Sequence, residues 1–318
     1  MESMEGLNIL VTGGNGFLGS WLSNALASKG FKVFALFDKD NPGTVFDPGL
    51  AKAIKGDVRD LAFVKKTMKK NGIRICVHLA AQTIVSEANK TPVETMETNI
   101  RGTYNVLECA RLLGVKVILA SSDKAYGRQK ILPYTEETPL RGLHPYDVSK
   151  SCADLIAQAY HNTYGLPVVI TRLANIFGGG DMNISRIVPS AAMSIARNEA
   201  PVIRSDGTPV RQYIYVEDAV RAYMKIIEKI DDVAGEAFNF GSSKPMTVYD
   251  LVKTMMNTAG MKGEPIVKGI PIKGEIHSQY LSSDKALKML GWKPVFAFED
   301  SLEKTIVWYR NYAGAGNG

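Results

Sequence analysis

LNILVTGGNGFLGSWL, residues 7–22, is the stretch whose reading decides the fold. LNILVT (7–12) is a strand-like apolar run, GGNG is a turn, and FLGSWL opens a helix. Gly14, Gly16 and Gly19 match GxGxxG, while Gly13, Gly16 and Gly19 give the wider TGxxGxxG spacing. Glycine allows the chain to turn tightly, lets backbone approach a pyrophosphate, and lets the helix pack closely on the strand. The helix amino terminus then presents unpaired N–H groups and a positive dipole to the phosphates. A lone GxGxxG says little; as the first strand–turn–helix of an alternating chain it marks a dinucleotide site.

The alternation continues outward from that turn. KVFALF (32–37), AKAIKGD (51–57), RICVHLA (74–80), VKVILAS (115–121) and PVVITRL (167–173) read as strands. Helical runs separate them: 17–30, 61–72, a long stretch near 92–113, and one near 146–164. This order predicts a doubly wound parallel sheet with right-handed crossovers, and several strands apolar along their length agree with helices on both faces. After Gly178 the rhythm becomes irregular. GGGDMN (178–183) reads as a loop, helices are expected near 185–197, 217–230, 247–259 and 299–312, and the strand-like VRQYIYV and EAFNFG lie among them. The expected division is a nucleotide-binding domain over 1–177, carrying the catalytic residues, and a smaller lobe over 178–318 with segments free to return to the first domain.

Composition narrows the classes. The 318 residues are 45% hydrophobic and 22% charged, ordinary for a globular enzyme. The 38 basic and 32 acidic residues are interspersed, giving +6 overall. That balance suits an anionic small substrate and lacks the basic stripe of a nucleic-acid binder. No run is long and apolar enough for a bilayer, and MESMEG lacks the features of a signal peptide, so the expectation is a cytoplasmic protein. Cys76, Cys109 and Cys152 stand far apart in apolar company, reading as buried thiols rather than a disulfide or zinc framework. His78, His144 and His161 have no metal-like spacing, and no metal site is expected; His78, in a strand, reads as a satisfied core residue.

Asp38, after the second strand, is placed to accept the ribose hydroxyls, favouring NAD over NADP with Lys39 beside it. Asp57, after the third strand, is in reach of the adenine edge or is a plain turn residue. PYDVSK sets Tyr146 and Lys150 four apart, on one face of a helix, where an ammonium can lower the phenol's pKa and make a tyrosinate base. Ser121 and Ser122 end the adjacent strand.

With these elements in place the chain resembles the extended short-chain dehydrogenase/reductases. TGGNGFLGS, HLAAQ (78–82), TNIRGTYNVLE (98–108), SSDKAYG (121–127), PYDVSK, NIFGGGD (175–181) and RQYIYVEDAV (211–220) occur in that family's order and span nearly the whole chain. The resemblance implies a Rossmann-type sheet with a carboxy-terminal substrate-binding lobe, NAD, a nucleoside-diphosphate sugar, and a catalytic set of Ser122, Tyr146 and Lys150. It implies cofactor contacts by Gly13, Gly16, Phe17, Leu18, Gly19, Asp57, Val58, Leu79, Ala80 and Ala81, and an ordering role for Asn99. Epimerases of the family place small or apolar residues after the serine, whereas 4,6-dehydratases place an acid and a base there. Asp123-Lys124 is similar to the CDP-glucose 4,6-dehydratase branch, as are GSWLS (19–23) and GGGD followed by RIVP (186–189). RQYIYVEDAV instead looks like the epimerase and general dehydratase form.

The expected reaction is therefore a 4,6-dehydration, with Tyr146 as base at the C4 hydroxyl, Lys124 as base at C5 and Asp123 as acid for the C6 hydroxyl. The alternatives are a 4-epimerase using Tyr146 and Lys150, and a non-catalytic sensor or RNA-binding relative. Lysine as base requires a depressed pKa, expected beside a cationic cofactor and Lys150. By the resemblance Arg211 and Asn175 meet the phosphates, Arg186 and Arg204 are further candidates, and His277 and Gln279 stand where relatives place another phosphate-contacting arginine. The helices near 92–113 and 146–164, with Leu107, Leu155, Ile156 and Tyr160, match those that pair as a four-helix bundle in homodimeric relatives.

Overall fold

The computed structural model describes residues 6–242, 244–271, 274 and 276–315. Its centre is a sheet of seven parallel strands. β1 (Asn8–Thr12) lies inside it, flanked on one side by β2 (Lys32–Phe37) and β3 (Lys52–Lys55). On the other side come β4 (Ile75–His78), β5 (Lys116–Ala120), β6 (Val168–Leu173) and the strand Ala237–Phe240. The strand order reverses between β1 and β4, and the crevice above their carboxyl ends is where such sheets bind ligands.

Both faces are buried, and the period-2 alternation of each strand divides the core in two. Ile9 and Val11 of β1 join Leu22 and Leu26 of helix α1 (Phe17–Ser28) and Val220 and Tyr223 of the helix Val216–Lys229. Leu10, pointing the other way, joins Val64 and Met68 of helix α2 (Leu61–Lys70) and Val106 and Ala110 of the helix Gly102–Leu113. Each such fully buried aliphatic side chain contributes about 1.5–3 kcal/mol. Cys76 and Cys109 are buried thiols in this second layer, and Cys152 is half-buried.

The helical stretch expected near 92–113 is continuous, Pro92–Met96 running through a widened π-turn, Glu97–Arg101, into Gly102–Leu113. EAFNFG supplies the seventh strand of the main sheet, pairing Ala237–Phe240 with Ile170–Leu173 as a segment of the second half that returns to the first.

The lobe has its own core of Phe177, Tyr215, Leu251, Met255, Leu302, Ile306 and Tyr309. Two small sheets connect it to the main one: Asn175–Phe177 pairs with Tyr213–Tyr215, and Val210–Arg211 lies between Met246–Thr247 and Ser278–Gln279. The glycines of the GGGD loop are packing glycines. A Cβ on Gly179 would fall 2.3 Å from the Trp308 ring, and the Trp21 indole of α1 donates to the Gly179 carbonyl at 2.8 Å. Among the described residues no helix is long and apolar enough to cross a membrane.

Candidate active site

The glycine turn is built for a close ligand. Gly13 has a φ of 68°, and a Cβ there would lie 3.0 Å from the Ala80 backbone. A Cβ on Gly14 would meet the Ala35 Cβ at 2.6 Å, and one on Gly19 would meet the Gly13 carbonyl oxygen at 2.0 Å. Gly16 caps α1 with no side chain over the end of the helix, so Phe17, Leu18 and Gly19 form an uncovered first turn. Asp38 is exposed directly after β2, on the same edge of the sheet. A dinucleotide fits this set: pyrophosphate at the bare helix end and a ribose at the carboxylate. Asp57 is engaged differently. Arg59 grips its carboxylate through two nitrogens, at 2.7 and 2.8 Å, which favours the plain turn reading over an adenine contact. Val58 is buried beneath Gly102.

The end of β4 is fastened from three sides. Leu79 N donates to the Thr12 carbonyl and Ala80 N to Thr12 Oγ1, at 3.1 and 3.2 Å, leading into Ala81. Asn99, carried on the π-turn, accepts from Gln82 N at 2.7 Å and donates to the Gln82 carbonyl at 3.0 Å and Ser149 Oγ at 2.8 Å. It thereby ties the β4 loop to the helix Pro145–Tyr164. His78 is a core residue whose ring nitrogens meet Thr12 and Thr103; burial, aided by the Lys150 charge, pulls its pKa down to about 3.

Tyr146, Ser149 and Lys150 project from the helix Pro145–Tyr164 toward the end of β5. The expected tyrosinate is not prepared by Lys150 in the protein alone. Burial pushes the Tyr146 phenol up to about 12, opposed by the Arg186 charge and a hydrogen bond with Ser122. Lys150 is instead fully enclosed, its Nζ donating to the Ala120 carbonyl at 2.9 Å, and burial lowers its pKa to about 8. In a low-dielectric site the desolvation of the phenolate outweighs a lysine that spends its N–H on a carbonyl.

Ser122 begins a 3₁₀ turn, Asp123–Tyr126, which carries the acidic and basic pair. Ser122 Oγ donates to Asp123 Oδ1 at 3.1 Å and accepts from Lys124 N at 3.2 Å. Asp123 is only 2% exposed, and its Oδ2, like Ser121 Oγ, is buried with no hydrogen-bond partner among the described residues. Lys124 Nζ lies 3.9 Å from Asp123 Oδ1. Its charge also acts on Asp147, a buried carboxyl whose pKa is raised by burial and drawn back by Lys124 and His144. The neighbours found beside Lys124 are thus the carboxyl groups of Asp123 and Asp147. Asp147 escaped the sequence reading; its position next to Tyr146, on the buried face of the helix, was the available signal.

Arg186, at the start of the helix Ile187–Ala196, is the cation whose field reaches Tyr146. Asp181 of the GGGD loop, almost fully buried, accepts from Arg186 Nη1 at 3.1 Å. Arg204 donates to the Ser185 carbonyl, so it steadies that loop from the lobe side. Asn175 donates to the Gln212 carbonyl at 3.1 Å. Arg211 Nη1 donates to the carbonyls of Val210 and His277, at 2.8 and 3.0 Å. His277 is exposed, its ring 3.0 Å from Ser278 Oγ. Gln279 departs from the expected phosphate contact: it is buried, and its amide donates to the Asp123 carbonyl at 2.9 Å. Among the described residues no group of histidine, cysteine and carboxylate side chains could hold a metal ion.

The chain belongs to the NAD dependent epimerase/dehydratase family, whose model matches residues 9–241. It is an enzyme family, and NAD is the cofactor that the glycine turn and Asp38 fit. Over 97% of its length the chain is 30% identical to a trifunctional UDP-glucose 4,6-dehydratase/UDP-4-keto-6-deoxy-D-glucose 3,5-epimerase/UDP-4-keto-L-rhamnose-reductase of Arabidopsis thaliana, but it spans only 48% of that protein. It is 29% identical to CDP-glucose 4,6-dehydratase of Salmonella typhimurium, over 96% of this chain and 91% of that one. The crystal structure of UDP-glucose 4-epimerase from Thermotoga maritima with UDP-glucose superposes with a TM-score of 0.89, at 30% identity over 96% of this chain and all of that one. Dehydratases and epimerases are therefore equally similar by identity, and the side chains must separate them.

Proposed function

We propose that the chain is a lyase, an NAD-dependent 4,6-dehydratase of a nucleoside-diphosphate hexose, with Ser122, Asp123, Lys124, Tyr146 and Lys150 as its reacting set. The observation that carries this reading is the buried Asp123 carboxyl with an oxygen lacking any partner, one residue from Ser122. A buried carboxyl oxygen left without a partner is costly to keep, and the leaving C6 hydroxyl is the partner this reading gives it. An epimerase has no step that uses it.

NAD, when bound, supplies a hydride acceptor at C4 and the same hydride's return at C6. Held at the glycine turn and Asp38, it would add a positive charge to the one that Arg186 already exerts on the Tyr146 phenol. Tyr146 takes the proton of the C4 hydroxyl, and Ser122, bonded to it, holds the oxygen as it becomes a carbonyl. The ketone acidifies the C5 proton, which Lys124 removes, while Asp123 gives its proton to the departing C6 hydroxyl. One water leaves, and the Lys124 ammonium gives its proton back to C5 as the hydride returns to C6, so that the product is a 4-keto-6-deoxy sugar. Arg211, Asn175 and Arg186 are the proposed contacts to the nucleoside diphosphate and sugar.

The 4-epimerase is the second reading, and one observation favours it. Carboxylates flank Lys124, whereas a base at C5 must first shed its proton. Incubation with NAD and CDP-glucose, GDP-mannose, dTDP-glucose, UDP-glucose or UDP-N-acetylglucosamine separates the two by mass spectrometry. A product lighter by one water, lost in Asp123→Asn and Lys124→Ala, supports the dehydratase. A stereoisomer of unchanged mass, made as well by both variants, overturns it.

We also propose a homodimer through the helices Gly102–Leu113 and Pro145–Tyr164. Leu107 belongs to the core, but Leu112 and Leu155 are exposed, and so is Val93 just upstream.

A further inference from the structure

We propose that Gln279 is a positioning residue for the acid–base turn, linking the lobe strand beside Arg211 to the orientation of Asp123; the proposal rests on the dehydratase reading above. Gln279 is 2% exposed, and its amide crosses 156 positions of sequence to donate to the Asp123 carbonyl at 2.9 Å. Burying a primary amide is costly unless its hydrogen bonds are made, so this contact accounts for a polar side chain where an apolar one would pack.

The contact belongs to a larger clasp. Ser278–Gln279 pairs in parallel with Val210–Arg211, with Gln279 opposite Arg211. Val210 N and Arg211 Nη1 both donate to the His277 carbonyl, at 2.7 and 3.0 Å. Downstream, Tyr134 N donates to the Tyr280 carbonyl at 2.9 Å and Ser282 N to the Tyr134 carbonyl at 2.8 Å. The Tyr134 hydroxyl in turn donates to the Gly127 carbonyl at 2.9 Å. Residues 277–282 therefore hold the turn at both ends: Asp123 directly through Gln279, Gly127 through Tyr134.

The side chain of Asp123 makes this matter for chemistry. Oδ1 receives the Ser122 hydroxyl, but Oδ2 has no partner among the described residues, so the carboxyl's aim depends on where the backbone is held. Arg211 is the proposed diphosphate contact, and it lies on the strand paired to Gln279. Engagement of the diphosphate is thereby conveyed across one strand pair to the proton donor. Gln279 is expected to matter for the loss of water and not for the preceding oxidation, in which Tyr146 acts.

The test uses Gln279→Met and Gln279→Glu, both of similar length and, at neutral pH, without the amide donor. Rapid mixing with the nucleotide sugar, followed at 340 nm, reads oxidation at C4; mass spectrometry of the same reaction reads water loss. The expectation is an oxidation rate within about twofold of the unaltered protein, water loss slower by roughly 10- to 100-fold, and reduced cofactor accumulating as a result. Parallel decline of both steps together with the melting temperature would show a purely structural role and overturn the proposal. Unaltered protein that yields only an epimer sinks the dehydratase reading itself, and this proposal with it, before any variant is made.

Discussion

Lys150 shows how far a single spacing can be read. Tyr146 and Lys150 four apart were legible in PYDVSK, and the structure sets both at the end of β5. Their electrostatics were not legible, because they depend on burial and on the Ala120 carbonyl, which no spacing reveals. The buried ammonium has a consequence for stability. Unfolded, the lysine titrates near 10.5; folded, near 8, because burial disfavours the charge. Between those values the unfolded chain binds the extra proton, so stability rises with pH across that window, and below pH 8 the folded state carries a penalty of about 3 kcal/mol. Lys150→Met removes the penalty and a hydrogen bond of about 1 kcal/mol. The variant should be inactive yet melt several degrees above the unaltered protein at pH 7, with the gap closing by pH 10. A gap that does not change with pH, measured by thermal denaturation, would mean that the ammonium is solvated. Asp123→Asn, which replaces a buried carboxyl by a neutral amide, is likewise expected to raise the melting temperature slightly while abolishing water loss.

At the scale of elements, the first turn was read correctly because its constraint is local. Strand, glycines and helix follow one another in sequence, and each glycine answers to a neighbour within a few residues or one strand away. The same locality makes the turn testable. Gly19→Ala places a Cβ against the Gly13 carbonyl at 2.0 Å, whereas Gly16→Ala meets the same oxygen at 3.1 Å and keeps an ordinary φ of −70°. NAD released from the purified proteins and quantified by chromatography should fall well below one-tenth of the unaltered content in both, in Gly19→Ala because the turn itself is displaced and in Gly16→Ala because a methyl covers the bare helix end, with only Gly19→Ala melting lower. Unchanged NAD content in both would mean that the cofactor is not seated on this turn. Elements set by distant partners were read less well. The widening of the 92–113 stretch at a π-turn has no periodicity signal. It is held by Asn99 contacts to Gln82 and Ser149, the latter 50 positions away. Gln279 was assigned to the phosphates for the same reason: its partner, Asp123, lies at the far end of the chain's topology.

At the scale of the whole molecule, the sequence shows an alternating half and an irregular half but not how they interlock. Ala237–Phe240 crosses back to complete the main sheet beside β6, and Trp21 of α1 reaches the lobe at Gly179, so the two halves share both sheet and core. Surface patterning has the opposite limit. Leu107 and Leu155 look alike in sequence, yet one is fully buried while the other is 52% exposed. Exposed leucines on adjacent long helices, with Val93 at 75% exposure, leave an apolar surface that a second copy would cover. Leu155→Glu puts a charge there without touching the core or the site, and a glutamate buried unpaired in a dimer would be costly. Light scattering at micromolar concentration should therefore read two 34.7 kDa chains for the unaltered protein and one for Leu155→Glu, with NAD content and melting of the isolated chain unchanged. A monomeric unaltered protein removes the proposed interface; a dimer that survives the substitution moves it away from Leu155.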